Sequence, residues 1–186
     1  MAINYPTSLD TFTNPTATSL LTSPSHALQH ADINDAVEAL QTKVAIGNTV
    51  LGTYTAYTPT WTSLTVGNGT VSSAYCQVNN FVHYVGVFTL GSTSVVTGGP
   101  VVSMPITAGT PFSSGLLAPY GICSFFDTSA GQLFDGIVMS TSGTTGLMRV
   151  GNTSGTYLIG NNTSATVPFT WATGDRINWN FTYRAA

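Results

Sequence analysis

Ile33, Val37, Leu40 and Val44 are spaced four, three and four along the chain, and few other positions near them are apolar. That is a heptad seam, with Val37 and Val44 at a and Ile33 and Leu40 at d. The spacing predicts a helix, with Asp32 as N-cap, Asp35 and Glu38 near the positive end, Lys43 near the C-terminus and Gly47 as terminator. Ser23 with Pro24 could instead cap a longer helix starting near Ser25. A helix this short needs a partner. It either packs on the following domain or joins other copies in a parallel bundle, and we read it as the second. His26 and His30 extend the stripe at d and a. A polar layer at the bundle end is their reading, in preference to a metal cluster.

Before the helix, residues 1–24 read as an extended arm. Pro6, Pro15 and Pro24 interrupt any helix, and Thr and Ser dominate between them. Ile3, Tyr5, Leu9, Phe12, Leu20 and Leu21 are scattered apolar anchors. A purely solvating tail is usually more charged and less aromatic, so we read an arm that orders against a partner rather than a disordered tail.

From about Tyr54 the period changes to that of strands. Val71 to Val78, Phe81 to Leu90, Val101 to Ile106, Gly121 to Phe126, Leu133 to Ser140, Thr145 to Val150, Thr156 to Ile159 and Ile177 to Tyr183 are the expected strands. Turns are expected at Gly67-Asn68-Gly69, Asn79-Asn80, Ser129-Ala130-Gly131, Ser142-Gly143, Gly151-Asn152 and Gly160-Asn161-Asn162, and Gly98-Gly99-Pro100 reads as hairpin or loop. The last strand alternates, with Ile177, Trp179, Phe181 and Tyr183 on one face and Asn178, Asn180 and Thr182 on the other. The expected class is mainly β: an arm over 1–24, a short trimerising coiled-coil helix over 25–47 and a β-sandwich or jelly-roll-like domain over 48–186.

Composition sharpens this picture. Hydrophobic residues make up 42% and charged residues only 6% of the 186-residue chain, against about 25% charged in an ordinary domain. Such a surface is covered by Thr, Ser, Asn and Gly or buried against partners. Asp10, Asp32, Asp35 and Glu38 face only Lys43 in the first quarter, while Asp127, Asp135 and Asp175 balance Arg149, Arg176 and Arg184. Nucleic-acid binding is not expected, because neutralising phosphates takes many cations. No apolar run has transmembrane length, and MAINYPTSLD lacks the basic region and apolar core of a secretory signal.

Candidate chemistry is sparse. Asp127 and Asp135 are eight apart and could meet as a carboxylate pair, but surface placement explains them equally well. His83 suits packing within a sheet or an interface, and no Gly-x-Ser-x-Gly elbow accompanies it. Cys76, His83 and Cys123 lack a closed metal-ligand spacing. The two cysteines could pair, though buried thiols are the preferred reading. Trp61, Trp171 and Trp179 could stack on sugar rings, with core or interface packing the default for each. No enzymatic activity, cofactor or metal is expected.

The lead INYPTSLDTFTNPT, running into SPSHALQHADINDAVEALQTKVAIG, resembles the N-terminal segment of small virion proteins of tailed bacteriophages, among them head-fibre, decoration and minor tail proteins. The stretch from YTPTWTSLTVGNGTVSSAYCQVNNFVHYVGVFTLG to VVSMPITA looks like the β domain attached to that segment, so the likeness spans residues 1 to about 108. The resemblance implies a homotrimer assembled in the host cytoplasm and exposed on the virion surface. The arm would grip the major capsid protein or another virion protein. Lacking an enzymatic module or long shaft, the chain fits a capsid decoration or head-fibre protein better than a receptor-binding tail protein. In that second role its partner would be a host or environmental glycan. A cell-wall-cleaving enzyme is disfavoured by the want of convergent acids.

Overall fold

The computed structural model describes residues 26–44, 52–111, 118–152, 154 and 159–186. The arm and its anchors Ile3, Tyr5, Leu9, Phe12, Leu20 and Leu21 lie outside the described residues, as do Gly47 and Thr156. Two compact units divide the chain, Met1–Thr53 and Tyr54–Ala186.

In the first unit, α1 spans His26–Val44. It is the longer of the two expected helices. Asp32 therefore sits inside the helix rather than capping it, and the first turn carries no acidic residue. The reason is local: Ala27, Leu28, Gln29 and Ala31 are good helix formers with no Gly or Pro among them, so nothing stops the helix at Asp32.

The second unit is mainly β. Its strands are β1 (Thr55–Ala56), β2 (Trp61–Thr65), β3 (Thr70–Val78), β4 (Phe81–Thr89), β5 (Val95–Ser103), β6 (Pro119–Asp127), β7 (Gln132–Ser142), β8 (Thr145–Asn152), β9 (Ile159–Asn162) and β10 (Arg176–Arg184). They form one curled antiparallel sheet in the order β1-β3-β4-β10-β6-β7-β8-β5-β2, with β9 added to β8. β1 and β2 stand at opposite ends of that order yet are neighbours in the chain. The residues between them tie the ends together. Tyr57 N–H donates to the Ser73 carbonyl at one end. Its hydroxyl meets Ser103 Oγ at 2.8 Å at the other.

Alternation sets the two faces of the sheet. Val82, Tyr84 and Phe88 of β4, Cys123 and Phe125 of β6, and Ile177, Trp179, Phe181 and Tyr183 of β10 are buried on the inner face. Leu64, Val96, Val102, Val138, Met148 and Val150 complete the core. Aromatic rings dominate its centre. Trp61 meets Trp179 edge-on at 5.4 Å, Tyr84 meets Phe181 at 5.2 Å, and Tyr120 stacks on Phe181 at 5.8 Å. Each such pair adds about 0.5–1.5 kcal/mol beyond its buried area.

Several strands differ from expectation. β5 starts six residues earlier than Val101 and runs through Gly98-Gly99-Pro100. Thr62 pairs Val101 while Leu64 pairs Val96, so this stretch bulges opposite Ser63, which takes φ 62°. A bulge needs no ladder N–H from Pro100, which is why a loop-like tripeptide fits inside a strand. Gly151-Asn152 and Gly160-Asn161-Asn162, expected as turns, are instead paired strand ends, with Gly151 opposite Gly160. β1 and β2 carried no run long enough to be expected. The Asn79-Asn80 turn forms, with Asn79 at φ 53°.

Asp175 pins two turns together. It is buried. Its carboxylate accepts from Thr128 N at 2.9 Å and from Ala172 N at 2.6 Å. Asp175→Ala removes the acceptor that both turns share and is expected to cost about 2 kcal/mol, measured by urea denaturation. Asp175→Asn should recover less than half of that loss, because its amide nitrogen would face an N–H.

Cys76 and Cys123 are free thiols. β4 and β10 lie between their strands, which puts them at least about 14 Å apart, beyond the ~7 Å reach of a disulfide. Burial pushes the Cys123 thiol from its ordinary value of 9.0 up to about 12, although the Arg149 carbonyl accepts its S–H at 3.7 Å. Burial likewise raises the Tyr84 and Tyr183 hydroxyls. The unfolded chain ionises these groups first, so their contribution is full below pH 9 and is lost as pH rises toward the folded values. Between pH 9 and 10, Cys123 alone should remove about 1.4 kcal/mol per pH unit at most. Urea midpoints across that range should fall, and Cys123→Ala should flatten the fall.

Candidate functional site

Two surfaces stand out, one in each unit. On α1, Ile33, Val37 and Leu40 are 52%, 46% and 50% exposed. Their side chains form the expected stripe, and Val44 continues it in sequence at the helix end. Leu28 is also exposed but lies on the opposite side from Val37, nine residues away at 100° per residue. His26 and His30 face one another, with Nε2 atoms 3.0 Å apart and rings edge-on at 4.4 Å. Among the described residues no group of three His, Cys, Asp or Glu side chains could hold a metal ion.

In the β unit the outer face of the sheet is built by register. One row across the strands runs Ser72, Val87, Asn178, Ser124, Asp135. The next runs Ala74, Val85, Asn180, Ile122, Ile137. Two open depressions lie along these rows. One, of about 560 Å³, is lined by Ile122, Ser124, Leu133, Asp135 and Asn178 among others. The other, of about 610 Å³, has Tyr54, Ser72, Ala74 and Val85 in its lining. Both reach Trp179 and Asn180.

A hydrogen-bond relay orients the shared asparagine. The Tyr54 hydroxyl bonds His83 Nδ1, and His83 Nε2 bonds Asn180 Oδ1 at 2.8 Å. An amide oxygen can only accept, so Nε2 carries the proton, Nδ1 accepts from tyrosine, and the Asn180 NH₂ is left to face away from His83. On the row beside it, Asn178 Nδ2 donates to Ser124 Oγ at 3.2 Å.

The three tryptophans do not form one surface. Trp179 is 3% exposed and shares the central cluster with Trp61. Trp171 belongs to a second cluster, 4.6 Å from Phe169 and 5.9 Å from Phe125, and its indole N–H donates to the Ser164 carbonyl at 2.9 Å. All three rings are thus engaged in packing, the default reading of the sequence. Nor do the aspartates converge. Asp127 pairs with Gln132 and Asp135 with Ser124, three positions along the hairpin and on opposite faces. Asp127 caps its turn instead: Ser129 Oγ donates to it at 2.7 Å, with Ser129 N and Ala130 N also donating, and these bonds hold its carboxyl below the usual range.

The outer-face set was not singled out by sequence. Its one local signal was the alternation of Asn178 and Asn180 in the last strand. Among the described residues no helix is long and apolar enough to cross a membrane. Comparisons with family models, curated proteins and solved structures each found no match.

Proposed function

We propose that this chain is a structural virion protein of a tailed bacteriophage: a homotrimeric capsid decoration or head-fibre protein. Its arm docks on the major capsid protein or a neighbouring virion protein, α1 joins the three copies, and the β unit, of the sandwich or jelly-roll kind, is displayed on the virion surface. The observation that carries this reading is the half-exposed stripe of Ile33, Val37 and Leu40. A 19-residue helix is only marginally stable by itself, and its seam is spaced for knobs-into-holes packing. Three arms on one body would add avidity to a non-covalent attachment. The resemblance of residues 3–47 to phage virion segments supplies the trimer and the particle. Trp61 packing against Phe88 and Trp179 across the core supports two facing layers in the β unit.

The second reading is a tail-tip or tail-fibre protein that recognises a host surface glycan, favoured by the two outer-face depressions. An epitope fused after the exposed Ala186 separates the two in electron cryomicroscopy of intact particles. Label in three-fold clusters over the shell is the expected result. Label confined to the tail tip would replace the first reading with the second.

A further inference from the structure

We propose that the two depressions on the outer face form one trough that binds a neutral, linear oligosaccharide. The inference deepens the glycan-recognition reading of the displayed domain and does not depend on where the protein sits on a particle.

Continuity comes first. Trp179 and Asn180 belong to both depressions, so the surface runs without a break from Tyr54, beside β1, across β3, β4, β10 and β6 to β7. Five strand spacings make this about 24 Å along the sheet, enough for a short chain of sugar residues. Small side chains keep it open: Ser72 and Ala74 line one half, and Ser124 the other.

The chemistry selects the ligand. Sugar hydroxyls are recognised by groups that accept or donate in a fixed plane, set beside apolar surface for the C–H faces of the ring. Asn178, Asn180 and Asp135 are such planar groups, with the Ser124 hydroxyl between Asn178 and Asp135 and that of Ser72 at the other end of the row. Ile122 and Leu133, 64% and 58% exposed, supply the apolar surface, and Tyr54 offers an exposed ring at the far end. Asp135 is the only charged residue in either lining. A phosphate, sulfate or uronate would meet that carboxylate with no cation among the lining residues, so the ligand is uncharged. A nucleic-acid strand is excluded on the same ground.

His83 is a positioning residue here. It holds the Asn180 carbonyl oxygen and so turns the amide NH₂ outward, and Tyr54 in turn fixes the imidazole. The lone histidine of the β unit thereby acquires a role.

The test uses the purified full chain with maltotetraose, cellotetraose, mannotetraose and tetra-N-acetylchitotetraose as probes, and tetragalacturonate as the charged control. Saturation-transfer NMR reads weak binding directly. At least one neutral probe should bind, and the charged control should bind at least about tenfold more weakly. Asp135→Ala and Asn180→Ala should each weaken the active probe by about tenfold. Ile122→Glu, at a well-exposed position where folding is not at risk, should weaken it as well. His83→Phe should weaken binding, and His83→Gln should restore it in part by donating again to Asn180. Absence of binding by all four neutral probes would overturn the proposal. So would binding unaffected by Asp135→Ala, Asn180→Ala and Ile122→Glu, or equal binding of tetragalacturonate. Light scattering on the same samples reports the oligomer separately, so loss of the trough and loss of the trimer are told apart.

Discussion

Gly86→Ala will destabilise the β unit by about 3 kcal/mol and lower its melting temperature by roughly 10 °C. Gly86 stands on β4 directly opposite Trp179 of β10. A Cβ there would lie 2.2 Å from Trp179 Cζ2 and 2.5 Å from Ser73 Cβ. Neither neighbour can yield cheaply. The indole is hemmed in by Trp61 at 5.4 Å and Tyr84 at 5.7 Å, and Ser73 is bound through its hydroxyl to the Tyr57 carbonyl, at the segment that joins the two ends of the sheet. The added methyl must therefore push the strand or rotate the ring into a core packed at crystal-like density. Trp179→Phe removes the clashing ring and costs stability by itself. In the double variant, however, the two losses should add to less than their sum, because the second substitution relieves the strain of the first. Thermal melts of the four proteins measure this coupling. Additive losses would mean that Gly86 matters for backbone conformation rather than for space.

Replacing Val37 and Leu40 together by Asp is expected to dissociate the proposed trimer. Each side chain exposes about half its surface on α1, and burying a Val or Leu fully is worth about 1.5–3 kcal/mol. Aspartate both forfeits that burial and sets like charges facing each other in the seam, so association should weaken by at least about a thousandfold. Leu28→Asp is the control. It removes an equally exposed apolar residue from the opposite side of the helix and should leave the mass unchanged. Sedimentation of the two variants gives the answer. An intact assembly after the seam substitution would place the joining contacts in the β unit or the arm.

Much of the fold was legible because it rests on local pattern. The alternation in INWNFTY yields β10 and its two faces, and the aromatic and β-branched run from Phe81 yields β4. The seam of α1 follows from four residues. What escaped the sequence depends on partners far along the chain. β9 exists because β8 offers it an edge, and its Gly and Asn residues carry no strand signal. β5 could not be read through Gly98-Gly99-Pro100 without knowing that Ser63 lies opposite in a bulge. The helix start stays open between Ser25 and Asp32 in sequence, because Asp32 has the chemistry of a cap wherever it falls. The outer-face depressions were least legible of all. Their central row draws on residues 72, 178, 124 and 135, which no sequence window contains together. The tryptophans, conspicuous as residue types, instead fill the core, since a large ring in a small aromatic sheet is worth more buried than displayed.

The mass of the unmodified protein in solution decides whether α1 joins three copies. Light scattering over a dilution series should give about three times the 19.4 kDa of one chain, holding steady until the seam begins to open at low concentration. A mass of one chain throughout the series would rule out the trimer.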